Sequence, residues 1–460
     1  MIKIDHNLKP ADFSGKLKRF WQLSGEKVRL IGSEYDESKG SPVFTIAGKY
    51  TTRGWTEWTQ GFQYGSAILH FDATGETQLL ENAKKKILMK MAPHISHTGV
   101  HDHGFNNVST YGNLLRLMRE GRIPFNEWEK SFYELALKIS GAVQASRWTC
   151  LKEGGFIYSF NGAHSLFADT IRSVRALTIS HMLGHVLQGE GDIKISLLER
   201  AIQHIKTTAA YNIFYGEGRD IYDVRGRAAH ECLFNIKDGS FRCTNSQQGY
   251  SGFSTWTRGL AWLMCGFAEQ LEWLESIDGE ELTSSGGKEI ITALMFKAAK
   301  ATCDFYIENT PADGVPYWDT GAPGLHRMGD FTNKPSDPFN AFEPVDSSAA
   351  AIASQGLLRL GKYLIETGET EEGNHYWQAG LCVLNTLLDE PYISSSAYHQ
   401  GLLLHSVYHR PNGWDHVPNG SKIPCGESSM WGDYHIREVC LFLQRVINNG
   451  KYYTYFSCVR

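Results

Sequence analysis

Thr255-Trp-Thr-Arg-Gly-Leu-Ala-Trp-Leu-Met-Cys-Gly-Phe-Ala-Glu-Gln-Leu-Glu-Trp-Leu274 carries apolar side chains three and four residues apart, the period of a helix rather than a strand. The same period recurs on both sides of it. It predicts helices over 79–92, 125–146, 168–187 and 193–213 before this stretch, and over 288–308, 347–366, 371–388, 400–408 and 429–447 after it. Gly- and Pro-rich stretches such as 313–323 and 410–424 separate them. Strand-like alternation is sparse, with short hairpins expected around 222–241. No low-complexity linker divides the chain, so 1–460 reads as one domain. Helix hairpins that follow one another without βαβ alternation imply an all-α, two-layer helical toroid. A helical solenoid is the alternative, but no repeated side-chain signature supports it.

Composition narrows the function. The 460 residues are 42% hydrophobic and 21% charged, ordinary for a globular protein. A net charge of −5 offers no basic field for a polyanion, so nucleic acid and long heparin-like chains are poor partners. The longest apolar stretch, 261–268, is too short to span a bilayer, which argues against a membrane protein. Met1-Ile-Lys-Ile-Asp-His shows no signal peptide, and nine cysteines lie scattered from Cys150 to Cys458 without CxxC spacing. Both features lead us to expect a cytoplasmic protein with reduced thiols. The 12 Trp, 21 Tyr and 23 Phe beside 46 Gly suit a sugar cleft, where flat rings stack on pyranose faces, although core packing explains most aromatics.

Three segments carry candidate chemistry. In His101-Asp102-His103-Gly104-Phe105, two histidines flank an aspartate, but no second cluster supplies the remaining ligands of a metal site. Helix capping by Asp102 is the plainer reading. In the second, Phe160-Asn-Gly-Ala-His164-Ser-Leu-Phe-Ala-Asp169-Thr-Ile-Arg172, Asp169 opens an apolar run and could equally cap a helix. The third, Gln248-Gly-Tyr250 through Trp256-Thr-Arg258 to Trp262, is the strongest. Arg258 lies four residues from Trp262 and would share a helix face with it. An arginine beside aromatic rings can grip a carboxylate bidentately; a buried arginine stacked on core tryptophans is the competing reading.

Together these segments resemble the unsaturated glucuronyl hydrolases of glycoside hydrolase family 88. The matching blocks are Trp55-Thr-Glu-Trp58-Thr-Gln-Gly-Phe, His101-Asp102-His-Gly-Phe, the helix opening at Asp169, and Gln248-Gly-Tyr through Trp262. Pro316-Tyr-Trp-Asp319, Asp346-Ser-Ser-Ala-Ala-Ala-Ile-Ala and Trp431-Gly-Asp433-Tyr follow in order. The resemblance implies an (α/α)6 barrel that removes a 4,5-unsaturated uronic acid from the non-reducing end of an oligosaccharide, and nothing in the sequence points to a metal or other cofactor. It implies Asp169 as general acid/base and Asp102 as assisting carboxylate. His230, Gln248, Trp256, Arg258 and Trp262 fall where the family lines its uronate subsite. Trp58 resembles a further stacking tryptophan, with Trp55 the other candidate. Phe160 stands where a tryptophan is usual, and Arg172 and Arg175 where amide and methionine residues are; both departures bear on substrate preference. Burial beside a like charge is expected to raise one pKa of the Asp102–Asp169 pair. An unsaturated rhamnogalacturonyl hydrolase shares the barrel and the chemistry. A sugar epimerase or isomerase using His101, His103, His164 or His230, or a silent carbohydrate-binding protein, are readings from other classes. The linkage, the second sugar and the oligomeric state are not written in the sequence.

Overall fold

The computed structural model describes residues 1–54 and 58–459. Helices alternate between an outer and an inner layer. The chain begins with α1 (Ser14–Glu34), α2 (Gln60–Thr74), α3 (Thr77–Lys90) and the short α4 (Ala92–Ile95). Then come α5 (His103–Asn107), a π-turn over Val108–Gly112, α6 (Asn113–Arg119) and α7 (Glu127–Ser146). The middle holds α8 (Thr170–Ser173), α9 (Arg175–Met182), α10 (Leu197–Tyr211), α11 (Thr257–Leu274) and α12 (Lys288–Asn309). The last three are α13 (Ser347–Thr367), α14 (Thr370–Leu387) and α15 (Met430–Ile447).

The inner ring runs α2, α5–α6, α8–α9, α11, α13 and α15, and it closes where α15 packs on α2. The outer partners are α1, α3, α7, α10, α12 and α14, which gives the (α/α)6 barrel. Burial follows the layers. In α11 every residue but Glu272 is buried, whereas α3 buries only Leu79, Leu80, Ala83 and Ile87. A helix inside a ring meets protein all round; an outer helix needs only one apolar stripe. The main hydrophobic core extends from Ile2 to Cys458. No helix among the described residues is long and apolar enough to cross a membrane.

Three departures from the predicted elements have physical causes. The run 168–187 is two short helices, α8 and α9, broken at Val174, and Leu187 belongs to a short strand. Residues 400–408 are not helical. There the N–H groups of Leu402 and Leu403 donate to the Asp433 carboxylate, and Leu403 and Leu404 form isolated bridges to Ile393 and Ser428. Their apolar spacing reflects burial on all sides, and a side chain replaces the helical acceptors. Helices α1, α2 and α5–α6 escaped the periodicity reading. Helix α2 is buried from Gln60 to Asp72 almost without interruption, and a helix buried all round shows no stripe.

The hairpin expected near 222–241 lies slightly later, with Glu231–Phe234 paired to Phe241–Asn245. Ser165–Phe167 adds a third antiparallel strand, Phe167 opposite Glu231. This small sheet matters for chemistry. Asp169 lies two residues beyond the end of one strand and His230 immediately before its neighbour, and the Ala168 N–H donates to the His230 carbonyl at 2.9 Å. Gly104 fixes the other half of the geometry. A Cβ there would sit 2.1 Å from the Ser173 carbonyl oxygen, so only glycine lets α5 approach α8 this closely.

Candidate active site

The inner helices' ends surround a cavity of about 240 Å³. A larger groove of about 880 Å³ runs between α1 and α3 on the outer wall. Two of its cations, Arg29 and Lys86, are already paired with Glu76 and Glu37. The smaller cavity holds the chemistry.

Asp102 and Asp169 both line it, each at the residue preceding a short helix, α5 and α8. Neither carboxylate makes a capping hydrogen bond, so the capping role open to both is not the one they take. They converge on one imidazole instead. His101 Nε2 lies 3.4 Å from Asp169 Oδ1 and 3.8 Å from Asp102 Oδ1. All three side chains are buried, and among the described residues neither ring nitrogen of His101 has a hydrogen bond of good geometry. The loop is pinned by its backbone: Gln144 and Ser173 side chains both donate to the His101 carbonyl, and the Gly104 N–H donates to Ser173 Oγ.

The electrostatics divide the pair. Burial, reinforced by the Asp169 charge, lifts the Asp102 pKa above the ordinary aspartate value against the pull of His101. Burial acts on Asp169 as well, but its closer contact with His101 outweighs it and holds that carboxyl below the ordinary value. Burial also opposes charge on His101, and the two carboxylates override it and raise its pKa. Without substrate, these shifts tilt the proton toward Asp102 and His101 and away from Asp169. The raised member of the pair is therefore Asp102.

Aromatic rings form the walls. Trp58 stacks on Trp431 with centroids 5.0 Å apart, and Phe160 stacks on His101 at 6.1 Å and 13°. Trp256 and Trp262 complete this side. Trp55 lies outside the described residues. Among the described residues, no group of three or more His, Cys, Asp or Glu side chains is placed to hold a metal ion.

No protein-family model matches the chain. An unsaturated glucuronyl hydrolase of Formosa agariphila is 24% identical over 393 residues, covering 85% of this chain and 81% of that protein. An unsaturated chondroitin disaccharide hydrolase of Streptococcus agalactiae is 23% identical over 421 residues, covering 90% and 87%. The crystal structure of unsaturated glucuronyl hydrolase from Bacillus sp. GL1 superposes with a TM-score of 0.68 at 20% identity, over 93% of this chain and 97% of that one. The chain is a relative of the unsaturated glucuronyl hydrolases.

The residues expected at a uronate subsite take unequal places. Gln248, Trp256, Arg258 and Trp262 line the cavity. His230 does not line it; the ring packs 4.5 Å from both Trp256 and Phe167. Its Nδ1 accepts the N–H groups of Gln247 and Gln248, so the neutral ring carries its proton on Nε2, which has no partner among the described residues. Burial brings its pKa down to about 4, which keeps it neutral.

Arg258 corrects the sequence reading. Its guanidinium stacks over Trp256 and Trp431, at 4.7 and 4.9 Å, rather than over Trp262. One terminal nitrogen donates to Asp346 Oδ2 and the Val407 carbonyl; the other donates to Gln248 Oε1 and the Tyr408 carbonyl. Four terminal N–H bonds meet four protein acceptors, which leaves none for a bidentate grip on a sugar acid. What Arg258 does is orient Gln248: with Oε1 held, the amide NH2 is the group left for the cavity. Arg258→Lys should keep the charge opposite Asp346 but release Gln248, raising KM several-fold with a smaller change in kcat. Steady-state kinetics on the cognate disaccharide separates the two.

The sequence reading missed one wall. Tyr408, His409, Asn412 and Trp414 also line the cavity, held by Asp415, which accepts the N–H groups of Tyr408 and His409. Asp-anchored turns with interleaved aromatics in 408–415 were the available signal. Of the four histidines behind an isomerase reading, His101 lines the cavity, His230 packs behind Trp256, and the other two lie elsewhere. His103 has both nitrogens engaged, by Ser140 Oγ and the His97 carbonyl, and His164 is exposed.

Proposed function

We propose that this chain is a glycoside hydrolase that releases a 4,5-unsaturated uronic acid from the non-reducing end of oligosaccharides produced by polysaccharide lyases. The carrying observation is two buried carboxylates within 4 Å of one imidazole nitrogen, in a tryptophan-walled cavity about the size of one sugar ring.

The substrate ring is a vinyl ether: its C4=C5 double bond adjoins the ring oxygen and a carboxylate. Asp169 donates a proton to C4, and the positive charge at C5 spreads onto the ring oxygen. Water adds at C5 and returns its proton to Asp169. The resulting hemiketal opens, and C1, left as a hemiacetal carbon, becomes an aldehyde as it expels the remaining sugar. The chain's task is to have a proton on Asp169 when substrate is present. An incoming carboxylate adds negative charge and excludes water, both of which raise a neighbouring acid's pKa. The protonated His101, 3.4 Å away, is the adjacent source of that proton. Recognition of the uronate carboxylate falls to the amide of Gln248, a donor on the cavity wall that protein acceptors leave unclaimed.

Protonation takes place at a ring carbon, so the carboxylate-separation rule for retaining and inverting glycosidases has no bearing here. The test is a panel of unsaturated disaccharides from chondroitin, hyaluronan, heparin, ulvan and pectin, followed by decay of alkene absorbance. Turnover of a glucuronate-type product is expected. A protein that converts only the pectin product would be a rhamnogalacturonyl hydrolase, and one that converts none would refute the proposal.

His101 gives this scheme a pH signature. A histidine with a raised pKa keeps its proton below that value and loses it above, so kcat/KM should fall on the alkaline side. In His101→Asn the alkaline limb should move to lower pH, because a carboxyl then carries the proton alone. An unmoved limb would remove His101 from the proton path.

A further inference from the structure

Helix α7 is an outer helix whose outward line is apolar. Trp128 is 87% exposed, Leu135 55%, Phe132 38% and Ile139 36%, and Phe125 just before the helix is 67% exposed. They fall at 125, 128, 132, 135 and 139, alternating steps of three and four, which is the seam spacing of paired helices. At 100° per residue, the remaining helical residues within about 60° of that line are Ala136, Ala142, Val143 and Ser146, none of them charged, while Ser131 and Glu129 flank it at about 80°. Other outer helices mix the two: α3 presents Leu88 and Met89 among Glu81, Lys84 and Lys85, and α12 presents Ile290 beside Lys297 and Lys300. A solvated helix face is normally charged, and a tryptophan this open is rare without a partner.

Area and charge identify the partner. The five side chains expose on the order of 600 Å² of apolar surface, at the upper limit for a monomer's largest patch. Doubled across a two-fold axis, that is about 1,200 Å², the threshold of a stable interface. The flanking charges complete the match. Glu127 and Lys138 lie on the same flank of α7, eleven residues or about three turns apart. When two copies of the helix pack antiparallel about Phe132, each Glu127 falls opposite the partner's Lys138, and Trp128 falls between the partner's Leu135 and the partner's Ile139. One helix face is thus complementary to itself, as a two-fold interface requires.

We propose that the chain forms a homodimer through α7, packed antiparallel against α7 of a second copy. The active-site cavity has no residue on this face, so the interface is separable from catalysis. Sedimentation equilibrium of the full chain at micromolar concentrations should give twice the 51.7 kDa chain mass. Trp128→Glu, at a position too exposed to disturb the fold, should be monomeric with unchanged hydrolase activity and melting temperature. Glu127→Lys and Lys138→Glu should each raise the dimer Kd about five-fold, since symmetry repeats the pair, and the double variant should bring it back. A monomeric wild type, or a dimer that survives Trp128→Glu, would overturn the proposal. Charge variants that weaken the dimer without mutual rescue would overturn the antiparallel pairing.

Discussion

Replacing Asp169 by Asn should abolish the decay of alkene absorbance while leaving the protein folded. General acid catalysis contributes about 10²–10⁴-fold, and in this site the acid must also receive the proton from the attacking water, so the loss should reach the upper part of that range. The fold should survive because the Asp169 carboxylate does no structural work that an amide cannot replace. It makes no capping bond to α8, and Oδ1 has no hydrogen-bond partner of good geometry among the described residues. An asparagine fills the same volume and can accept from His101, but it cannot carry a proton to C4. Unchanged melting with turnover lost is the expected pair of results. Asp102→Asn should be less severe. The pKa of that carboxyl is raised by burial while that of Asp169 is lowered, so its contribution lies in setting the proton balance of the cluster. Near-wild-type turnover in Asp169→Asn, on whichever disaccharide the native protein prefers, would take the acid role from this residue.

How much of the fold and the site was legible in the sequence depends on the kind of signal. The outer helices α3, α7 and α10 announce themselves, because each buries one stripe and keeps charges off it, although α1, with a stripe of its own, was passed over. Inner helices announce themselves only when they are also long, like α11; α2 and α5–α6, buried all round, lose the contrast that periodicity needs. Residues 400–408 fail for the converse reason, since apolar spacing cannot show that Asp433 supplies the hydrogen bonds. In the site, the acids and tryptophans were readable as motifs. The saturation of Arg258 was not, because its acceptors Asp346, Val407 and Tyr408 are far away in sequence. The wall from Tyr408 to Trp414 carried a local signal in its Asp-anchored turns, but its place beside Trp58 and His101 is a property of ring closure, not of local pattern.

The arginines after Asp169 show a departure whose meaning only the fold reveals. Arg172 and Arg175 point into the barrel core and not into the cavity, so they bear on stability rather than on substrate preference. Arg172 donates to both oxygens of Glu269 at 3.0 Å and to Glu438, and Arg175 lies 3.3 Å from Glu269. Arg359 continues the chain of charges through Glu272. Removing one partner from such a buried group leaves an uncompensated charge, at a cost of about 3–5 kcal/mol. Glu269→Ala should therefore destabilise the fold by an amount in that range. For a chain of this length that is a fall of about 4 °C in Tm, from the usual unfolding entropy per residue. It should also reach the active site, because Arg175 donates to the Gly104 carbonyl beside Asp102. The pH dependence follows from Glu269 itself. Burial alone would raise its pKa, but Arg172 and then Arg175 hold it below the ordinary glutamate value. A depressed carboxylate stabilises the fold above its unfolded pKa and ceases to do so as pH falls through the folded one. The Tm gap between wild type and Glu269→Gln should accordingly be full near neutrality and close below the ordinary glutamate range. Replacing Glu269 and Arg175 together by leucine should restore part of the loss, since an apolar pair leaves fewer charges unmatched. A Glu269→Ala protein that melts with the wild type at every pH would mean that the buried charges are solvated by something other than one another.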